Sequence, residues 1–372
     1  MRPQLSLPNV LYADMRLRDS LIGQLLKHVA APGNGDPPIP WRLDGVPERQ
    51  FQWLMAAGLG PLLYRTTRER TVHVPTRWRD VLLGADLTAQ VRHASLADTA
   101  CDVITRCAQA GIDVVLLKGI STSEEFYPAP HLRPMGDVDL LVPAARCHAV
   151  EKSLLEAGYR KHPDHPETFD LHHGAPLHEP RRDVWVEIHR SLYPEGDEFA
   201  SRHLFSAAAV MANVVKSTFR GLPVLRLCPE LQLAYIASSW MRDITVSRIQ
   251  ASFLASLVDA LYLLKRGGAA LDWQKLERWT DDDLPTASLY VLLTYLASRG
   301  LSRLPLHVTQ SLAGRQTLVG ALQLHIIHAM IDRHLVGGVP WLSVLPPPVA
   351  GRYSFRRQWT KRVVNRCRTG AR

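Results

Sequence analysis

The sequence predicts an α+β fold in which a small mixed β-sheet forms an α/β core between helical segments on its N- and C-terminal sides. Three observations support this prediction. In residues 96–225, helical periodicity alternates with short runs of β-branched and aliphatic residues. Residues 1–95 and 226–345 show helical periodicity without such runs. Residues 346–372 begin with three consecutive prolines and continue as a basic segment, which we interpret as a linker and a tail.

Apolar residues at helical spacing predict the individual helices on both sides of the core. In the N-terminal segment they predict helices at 20–29 and 50–63, and a long helix from about 76 to 110 that stops before Gly111. The same criterion predicts later helices at 144–157, 251–264, 272–279, 284–298 and 317–335.

The centre of the chain combines a strand, a glycine turn and a helix start. The run 112–117 is β-branched and aliphatic, which predicts a buried strand that ends at Lys118-Gly119-Ile120-Ser121. A helix that starts there would direct free backbone N–H groups outward, as an anion site requires. Lys118 adds a positive charge, Gly119 permits close backbone approach and Ser121 offers a hydroxyl, so we expect these three residues to bind phosphates.

A second predicted strand carries two acids on one face. In Asp137-Val138-Asp139-Leu140, alternation places Asp137 and Asp139 about 6–7 Å apart on one side, with Val138 and Leu140 in the core. Two carboxylates on one face favour a divalent cation, most naturally Mg²⁺, which in turn can hold nucleotide phosphates. The alternative is a solvated strand edge whose acids pair with Arg133 or Arg181.

The alternating run 184–189 predicts a further strand, with Glu187 and His189 on the face opposite the apolar residues. Glu187 is the candidate third acid, since metal-dependent phosphoryl transfer generally needs one to hold the second ion. The alternative is an exposed strand residue. We expect His189 to contact the active site as a base or a hydrogen-bond partner, and Arg133 either to bind phosphates or to pair with an acid.

Other kinds of catalytic site find little support in the sequence. The adjacent pair His172 and His173 would face opposite sides of a strand, and no H-E-x-x-H spacing occurs, which argues against a zinc hydrolase. Neither a G-x-S-x-G elbow nor a G-x-x-x-x-G-K-[ST] loop is present. Asp259, in an apolar helix, is expected to cap or pair internally, and we assign it no catalytic role.

These motifs together resemble the polymerase-β-like nucleotidyltransferase superfamily, and within it the bacterial family usually labelled "uncharacterised nucleotidyltransferase". The similarity lies in Leu117-Lys118-Gly119, Tyr127-Pro128, Arg133, the strand Gly136 to Val142, Gly158-Tyr159 and Val186-Glu187-Ile188-His189. It extends over most of residues 50–280 and includes Gly60-Pro61-Leu62-Leu63-Tyr64, Pro229-Glu230, Asp259 and Leu271-Asp272-Trp273.

The resemblance implies a nucleotidyltransferase core at 96–225 in which Asp137, Asp139 and Glu187 bind two Mg²⁺ ions. It also implies that Gly119 and Ser121 hold the phosphates of an NTP, with ATP as the expected donor. The chain departs from the family pattern at two positions, Ile120 after the glycine and Arg190 after the histidine. Family members tend to belong to biosynthetic gene clusters, so the implied acceptor is a small molecule, peptide or protein.

Composition and charge limit the alternatives. The formal net charge of +9 is concentrated in 352–372, where eight Lys and Arg residues occur without an acid, so the rest of the chain is nearly neutral. The tail is either a solvated helix or frayed end, or a surface for nucleic acid or anionic lipid. The five cysteines form no C-x-x-C pair, which argues against a disulfide framework and a zinc knuckle. With neither a signal-peptide pattern nor a transmembrane segment, we expect a cytoplasmic protein.

The sequence therefore predicts an enzyme that transfers a nucleoside monophosphate from an NTP to a hydroxyl or phosphate and releases pyrophosphate. Within this hypothesis, Asp137 and Asp139 bridge both ions and Glu187 holds the ion that activates the acceptor. The first alternative is a binding module that keeps a nucleotide or peptide without turnover. The second is a nucleic-acid binder that acts through the basic tail.

Overall fold

The structure is a computed structural model. It describes residues 17–31, 43, 45–70, 72–163, 172–194, 196–200, 203–245, 251–268 and 270–337. The predicted proline linker and basic tail at 346–372 lie outside the described residues, as does Cys367.

The described residues form helices on both sides of a group of strands that occupies the middle of the chain. The helices are α1 (Leu21–Ala30), α2 (Glu48–Ala56), α3 (Gly60–Glu69), α4 (Thr76–Gln109), α5 (Lys118–Phe126), α6 (Cys147–Glu156), α7 (Ala207–Ala212), α8 (Pro229–Thr245), α9 (Ala251–Gly267), α10 (Trp273–Trp279), α11 (Leu284–Ser298), α12 (Leu306–Arg315) and α13 (Ala321–Gly337). The strands are β1 (Val115–Leu116), β2 (Asp137–Leu141), β3 (Arg160–Lys161), β4 (Leu177–Glu179), β5 (Val184–His189), β6 (Val214–Phe219) and β7 (Leu222–Leu227).

The strands form one mixed sheet in the order β3-β4-β5-β2-β1-β7-β6. Strand β2 pairs in parallel with β5, and β1 pairs in parallel with β7. The remaining neighbours are antiparallel. The predicted α+β fold with a mixed sheet flanked by helices is confirmed.

The predicted helix at 50–63 is wrong, because the chain breaks it into α2 and α3. At the break, Gly58 adopts a φ of +73°, in the left-handed region that favours glycine. A Cβ at this position would lie 2.7 Å from the Cβ of Pro134. Glycine therefore lets the α2–α3 turn approach the loop before β2.

The strand predictions succeed where alternation is clear and fail where pairing is short or local. Strand β5 covers the whole predicted range 184–189, whereas the predicted strand at 112–117 is reduced to β1. The hairpin of β6 and β7 was not predicted. Its two-residue turn has positive φ at Arg220 (+48°) and Gly221 (+82°), as expected for a tight hairpin turn. The short helix α12 was also not predicted.

Two hydrophobic cores hold the sheet between helical layers. One includes apolar residues of α4 and α6 and the sheet residues Val138, Leu140 and Val186, all three with no exposed surface. The other contains residues of the helices that precede the sheet and of those that follow it, among them Leu25 of α1 and Val258 of α9. The two predicted helical segments thus share one core.

Two further expectations concern the membrane and the cysteines. Across the described ranges, no helix combines the length and the apolar character that crossing a bilayer needs. The four cysteines that fall within those ranges, Cys101, Cys107, Cys147 and Cys228, are all free thiols.

Buried histidines should make the fold sensitive to acid. Burial lowers the pKa of His93 and of His328 to about 4, from an ordinary value of 6.5. Between these values the unfolded chain binds more protons than the folded chain, so the free energy of unfolding should fall as pH drops from 6.5 to 4. Each histidine contributes a slope of up to about 1.4 kcal/mol per pH unit.

The test is to measure the free energy of unfolding in urea between pH 6.5 and pH 4. In His328→Gln this free energy should depend less steeply on pH, by about 1 kcal/mol per pH unit. The matched control is His148→Gln, because the His148 side chain is 84% exposed. If the pH dependence in His328→Gln is unchanged, the folded and unfolded chains bind the same number of protons at this ring, and the expectation is wrong.

Candidate active site

The register between β2 and β5 brings two of the three predicted acids side by side. Asp139 is directly opposite Glu187, and Asp137 is opposite Trp185. Alternation turns the intervening residues Val138 and Val186 into the core. The carboxylates therefore share one face of the sheet, as their spacing predicts.

These acids lie at a cavity of about 590 Å³ between the sheet and the helices around it. Within the described part of the chain, one group of side chains has the donor atoms to hold a metal ion: Asp139, Glu187 and His189, whose ligand atoms lie within 4.8 Å of one another. Asp137 lines the same cavity without belonging to this group. The arrangement of carboxylate oxygens fits a hard divalent cation.

Lys118 lies at the start of α5 and contacts the acids directly. Its Nζ is 3.1 Å from Oδ1 of Asp139. Burial alone would lower the pKa of this ammonium, but the attraction of Asp139 outweighs it and the pKa lies above its ordinary value. The backbone of Lys118 adopts a φ of +40°, a conformation that costs free energy for a residue with a Cβ.

His189 supports the acids from within the protein. Its ring is completely buried, and Nε2 lies 2.7 Å from Oδ1 of Asp139 and 3.5 Å from Oε2 of Glu187. Burial lowers the pKa of His189, but the hydrogen bonds to Asp139 and Glu187 raise it by more than burial lowers it. The pKa therefore lies above its ordinary value. His189 contacts the acids and does not itself line the cavity.

The prediction that His172 and His173 face opposite sides of a strand is wrong. They lie just before β4, where His173 forms an isolated bridge with His189. Both of their rings are centred 5.2 Å from the ring of His189. His172 lines the cavity, and burial together with the neighbouring histidines lowers its pKa to about 2, so it is neutral at ordinary pH.

The three acids have different electrostatic surroundings. Burial opposes ionisation of Asp139, but the charge of Lys118 and the hydrogen bond from His189 hold its pKa well below the ordinary range. For Glu187 the hydrogen bond from His189 likewise overcomes burial and lowers the pKa. Burial and repulsion from these two acids raise the pKa of Asp137 to about 7. A cation beside Asp137 would relieve this repulsion.

The N-terminus of α5 opens next to the acids. Its first residues are Lys118 and Gly119, and the preceding Leu117 has no side-chain acceptor that could cap the helix. A Cβ on Gly119 would lie 2.5 Å from Nη1 of Arg133 and 2.8 Å from Cγ of Met135. Lys118, Gly119, Arg133 and Met135 all line the cavity.

Of the two alternatives for Arg133, the structure shows the pairing with an acid, and phosphate binding stays a prediction. Its guanidinium pairs with Asp259 at 2.8 Å and also lines the cavity. The expected internal pairing of Asp259 is therefore observed. The predicted alternative partners of Asp137 and Asp139 are not found among the described contacts, since Asp139 pairs with Lys118 and His189, and Arg181 pairs with Glu179.

Comparison with known proteins identifies the family. The sequence profile described as "Uncharacterised nucleotidyltransferase" matches residues 46–298. The chain belongs to this family. The match confirms the family resemblance carried by the lysine–glycine, Asp-x-Asp and Glu-x-His motifs.

Two solved structures are similar to this family member, each at 13% sequence identity. The crystal structure of an antigenic nucleotidyltransferase-like protein from Paracoccidioides brasiliensis aligns with a TM-score of 0.37 over 60% of this chain and 94% of that chain. The solution structure of the antibiotic-resistance factor ANT(2'')-Ia aligns with a TM-score of 0.31 over 49% of this chain and 95% of that chain. A search of curated proteins found no match.

The residues that form one wall of the nucleotidyltransferase cavity are not among the predicted site residues. Helix α8 contributes Gln232, Tyr235, Ser239 and Arg242, which recur at helical spacing along one face. Polar residues at this spacing in an otherwise apolar helix are the signal that could have identified them. Gln232 is 2% exposed, and its buried Oε1 has no hydrogen-bond partner among the described residues.

Ser121, which the sequence predicts as a phosphate ligand, has another partner. It is 1% exposed, does not line the cavity, and its Oγ accepts a hydrogen bond from Nη1 of Arg226 at 3.1 Å. Arg226 is itself 3% exposed and also donates to the backbone oxygen of Ser121. The hydroxyl therefore contributes to the packing of α5 against β7.

We expect Ser121→Ala to lower the free energy of unfolding by about 1 kcal/mol, because a buried donor of Arg226 loses one acceptor. The affinity for Mg²⁺-ATP, measured by isothermal titration calorimetry, should not change. Ser123→Ala is the matched control, since that hydroxyl bonds only the nearby carbonyl of Ile120 among the described residues. A loss of nucleotide affinity in Ser121→Ala with unchanged stability would restore the phosphate role.

Proposed function

We propose that this member of the family is an active nucleotidyltransferase that depends on a divalent metal. It transfers a nucleoside monophosphate from an NTP, with ATP as the expected donor, to a hydroxyl or phosphate of a small-molecule, peptide or protein acceptor, and releases pyrophosphate. The observation that carries the proposal is the pairing of Asp139 with Glu187 across β2 and β5, in a cavity that the N-terminus of α5 also lines. Acids and an anion site meet there.

The donor set fits Mg²⁺. Asp137, Asp139 and Glu187 would hold it, with two ions expected from the family resemblance. Bound there, Mg²⁺ would supply Lewis-acid stabilisation of the charge on the phosphates and lower the pKa of the acceptor hydroxyl. Burial and, after it, repulsion from Asp139 and Glu187 raise the pKa of Asp137, and a cation in this position would favour its ionised form.

The protein's own groups would bind and orient the triphosphate. Backbone N–H groups at Gly119 and Ile120 are directed from the start of α5, where the helix dipole favours anions. Lys118 and Arg133 both line the cavity and bring two cations to it. The ammonium of Lys118, which lies 3.1 Å from Oδ1 of Asp139, would donate to phosphate oxygens bound in the cavity.

His189 would act through the acids. It sets the position of Asp139 through the 2.7 Å hydrogen bond at Nε2, with its ring fixed by complete burial. His189 is thus better suited to orient a metal-binding carboxylate than to contact a nucleotide. The proposal also includes two expectations from the sequence, that the reaction belongs to a biosynthetic pathway and that it takes place in the cytoplasm.

Single acid-to-amide changes test the proposal. Asp139→Asn and Asp137→Asn should each lower nucleotidyl transfer at least about 100-fold, because each removes a charge that holds the metal. Asp113→Asn is the matched control, since this exposed residue near β1 does not line the cavity. The measurement is release of labelled pyrophosphate from each NTP, with candidate acceptors supplied as the products of neighbouring genes.

Metal binding gives a second measurement that needs no acceptor. Titration with Mn²⁺, followed by electron paramagnetic resonance, should show saturable binding in the natural chain and in Asp113→Asn, and at least about 10-fold weaker binding in Asp139→Asn. Binding of Mg²⁺-ATP without pyrophosphate release across the acceptors would favour the non-catalytic module. Full transfer activity in Asp139→Asn would overturn the mechanism.

A further inference from the structure

Asp259 of α9 is an almost completely buried acid, 2% exposed, and its carboxylate borders the cavity. We propose that Asp259 is a positioning residue, which holds the guanidinium of Arg133 over the N-terminus of α5 so that Nη1 can bind the phosphates of the nucleotide. This inference rests on the proposed function, because it assumes that a nucleotide occupies the cavity. The role goes beyond the internal pairing that the sequence predicts for Asp259.

The contacts fix the guanidinium from one side. Nε of Arg133 lies 3.0 and 3.1 Å from the two oxygens of Asp259, and Nη2 lies 2.8 Å from Oδ2. The hydroxyl of Tyr127 donates to Oδ1 of Asp259 at 2.7 Å. A carboxylate held by a two-pronged arginine contact and a tyrosine has little freedom to rotate, so the plane of the guanidinium is set.

The geometry leaves Nη1 directed toward the proposed phosphate site. Nη1 donates to the backbone oxygen of Pro134 at 3.2 Å and makes none of the contacts to Asp259. It also lies close over Gly119, where an added Cβ would come within 2.5 Å of it. A guanidinium nitrogen above a helix N-terminus gives an anion a charged donor on one side and backbone N–H groups on the other.

An ion pair this deeply buried is a weak source of net stability. Desolvating two charges costs several kcal/mol per ion, and buried ion pairs can often be replaced by apolar residues without loss of stability. The chain contains a second set of the same three groups, in which Tyr295 and Arg299 both contact Asp332 between α11 and α13. None of these three lines the cavity. The side chains of Arg299 and Asp332 are 28% and 27% exposed, against 12% and 3% for Arg133 and Asp259, so the second set is a control for the contacts and not for the burial.

Lys118 and Arg133 divide the cavity between them. The ammonium of Lys118 is 3.1 Å from Asp139, on the side of the acids, whereas Arg133 is held by Asp259 on the side of α9. Fixing Arg133 from α9 keeps it from turning toward Asp139, to which it is also attracted. Phosphates bound at Gly119 would therefore meet two cations from different directions.

A double-mutant cycle on nucleotide affinity tests the inference. The full chain is titrated by calorimetry with Mg²⁺-ATP and, separately, with inorganic tripolyphosphate, which carries the phosphates alone. Asp259→Asn and Arg133→Met should each weaken both ligands about 10-fold or more. If Asp259 acts through Arg133, the double variant should bind no more weakly than Arg133→Met, within about twofold.

The control and the milder variants keep the test independent of stability. Asp332→Asn breaks the equivalent contacts outside the cavity and should lower the melting temperature without changing either affinity. Tyr127→Phe removes one hydrogen bond to Asp259 and should weaken both ligands by about twofold to fivefold. If Asp259→Asn does not fold, an unchanged affinity in Tyr127→Phe and Asp259→Glu would overturn the inference.

The outcomes separate this inference from the proposed function. The positioning role would be overturned if the losses of affinity in Asp259→Asn and Arg133→Met add up in the double variant. It would also be overturned if Arg133→Met binds both ligands as tightly as the natural chain. In either case the natural chain would still bind Mg²⁺-ATP, so the proposed function would stand. If Arg133→Met binds Mg²⁺-ATP more weakly but keeps the full affinity for tripolyphosphate, then Arg133 contacts the nucleoside. This result would also overturn the positioning role. A natural chain that binds neither ligand would overturn the proposed function and the inference with it.

Discussion

The parallel pairing of β2 with β5 is the constraint on which the site depends. It sets Asp139 opposite Glu187 while the alternate residues Val138 and Val186 fill the core. Apolar burial on one face thus fixes the spacing of charges on the other, because a slip of one residue would exchange the faces. The cost of concentrating acids there is offset by Lys118 and His189, which both contact Asp139. A metal ion would enter a site whose carboxylates are already oriented.

The second determinant is the shared core of the flanking helices. Helix α1 packs against α9 and α13, so segments from opposite ends of the described chain form one body on one side of the sheet. That body supplies the cavity walls on α8 and α9, and the turn at Gly58. Sheet and helices therefore contribute different parts of the site: the acids belong to the sheet, and the groups that surround a ligand belong mostly to the helices.

The sequence revealed the parts of the site that local periodicity determines. Alternation along 184–189 and across Asp137 and Asp139 is a property of single strands, so it predicts which residues share a face. The environment of Ser121 depends on Arg226, more than 100 positions away, and no local pattern indicates that contact. The break at Gly58 likewise depends on its approach to Pro134. Tertiary contacts decided these positions, whereas local propensity decided the strands.

Arg133 shows why residue type and spacing could not choose between two interpretations. The sequence allowed a phosphate ligand or a partner for an acid, as if these excluded each other. A guanidinium has five donors in a plane, so Nε and Nη2 can satisfy Asp259 while Nη1 stays directed toward Gly119. The same Tyr-Asp-Arg contacts at Asp332 join two helices, and none of those three residues lines the cavity that holds the acids. What distinguishes Arg133 is its position over the start of α5, where the ion pair lines the cavity that also contains the acids.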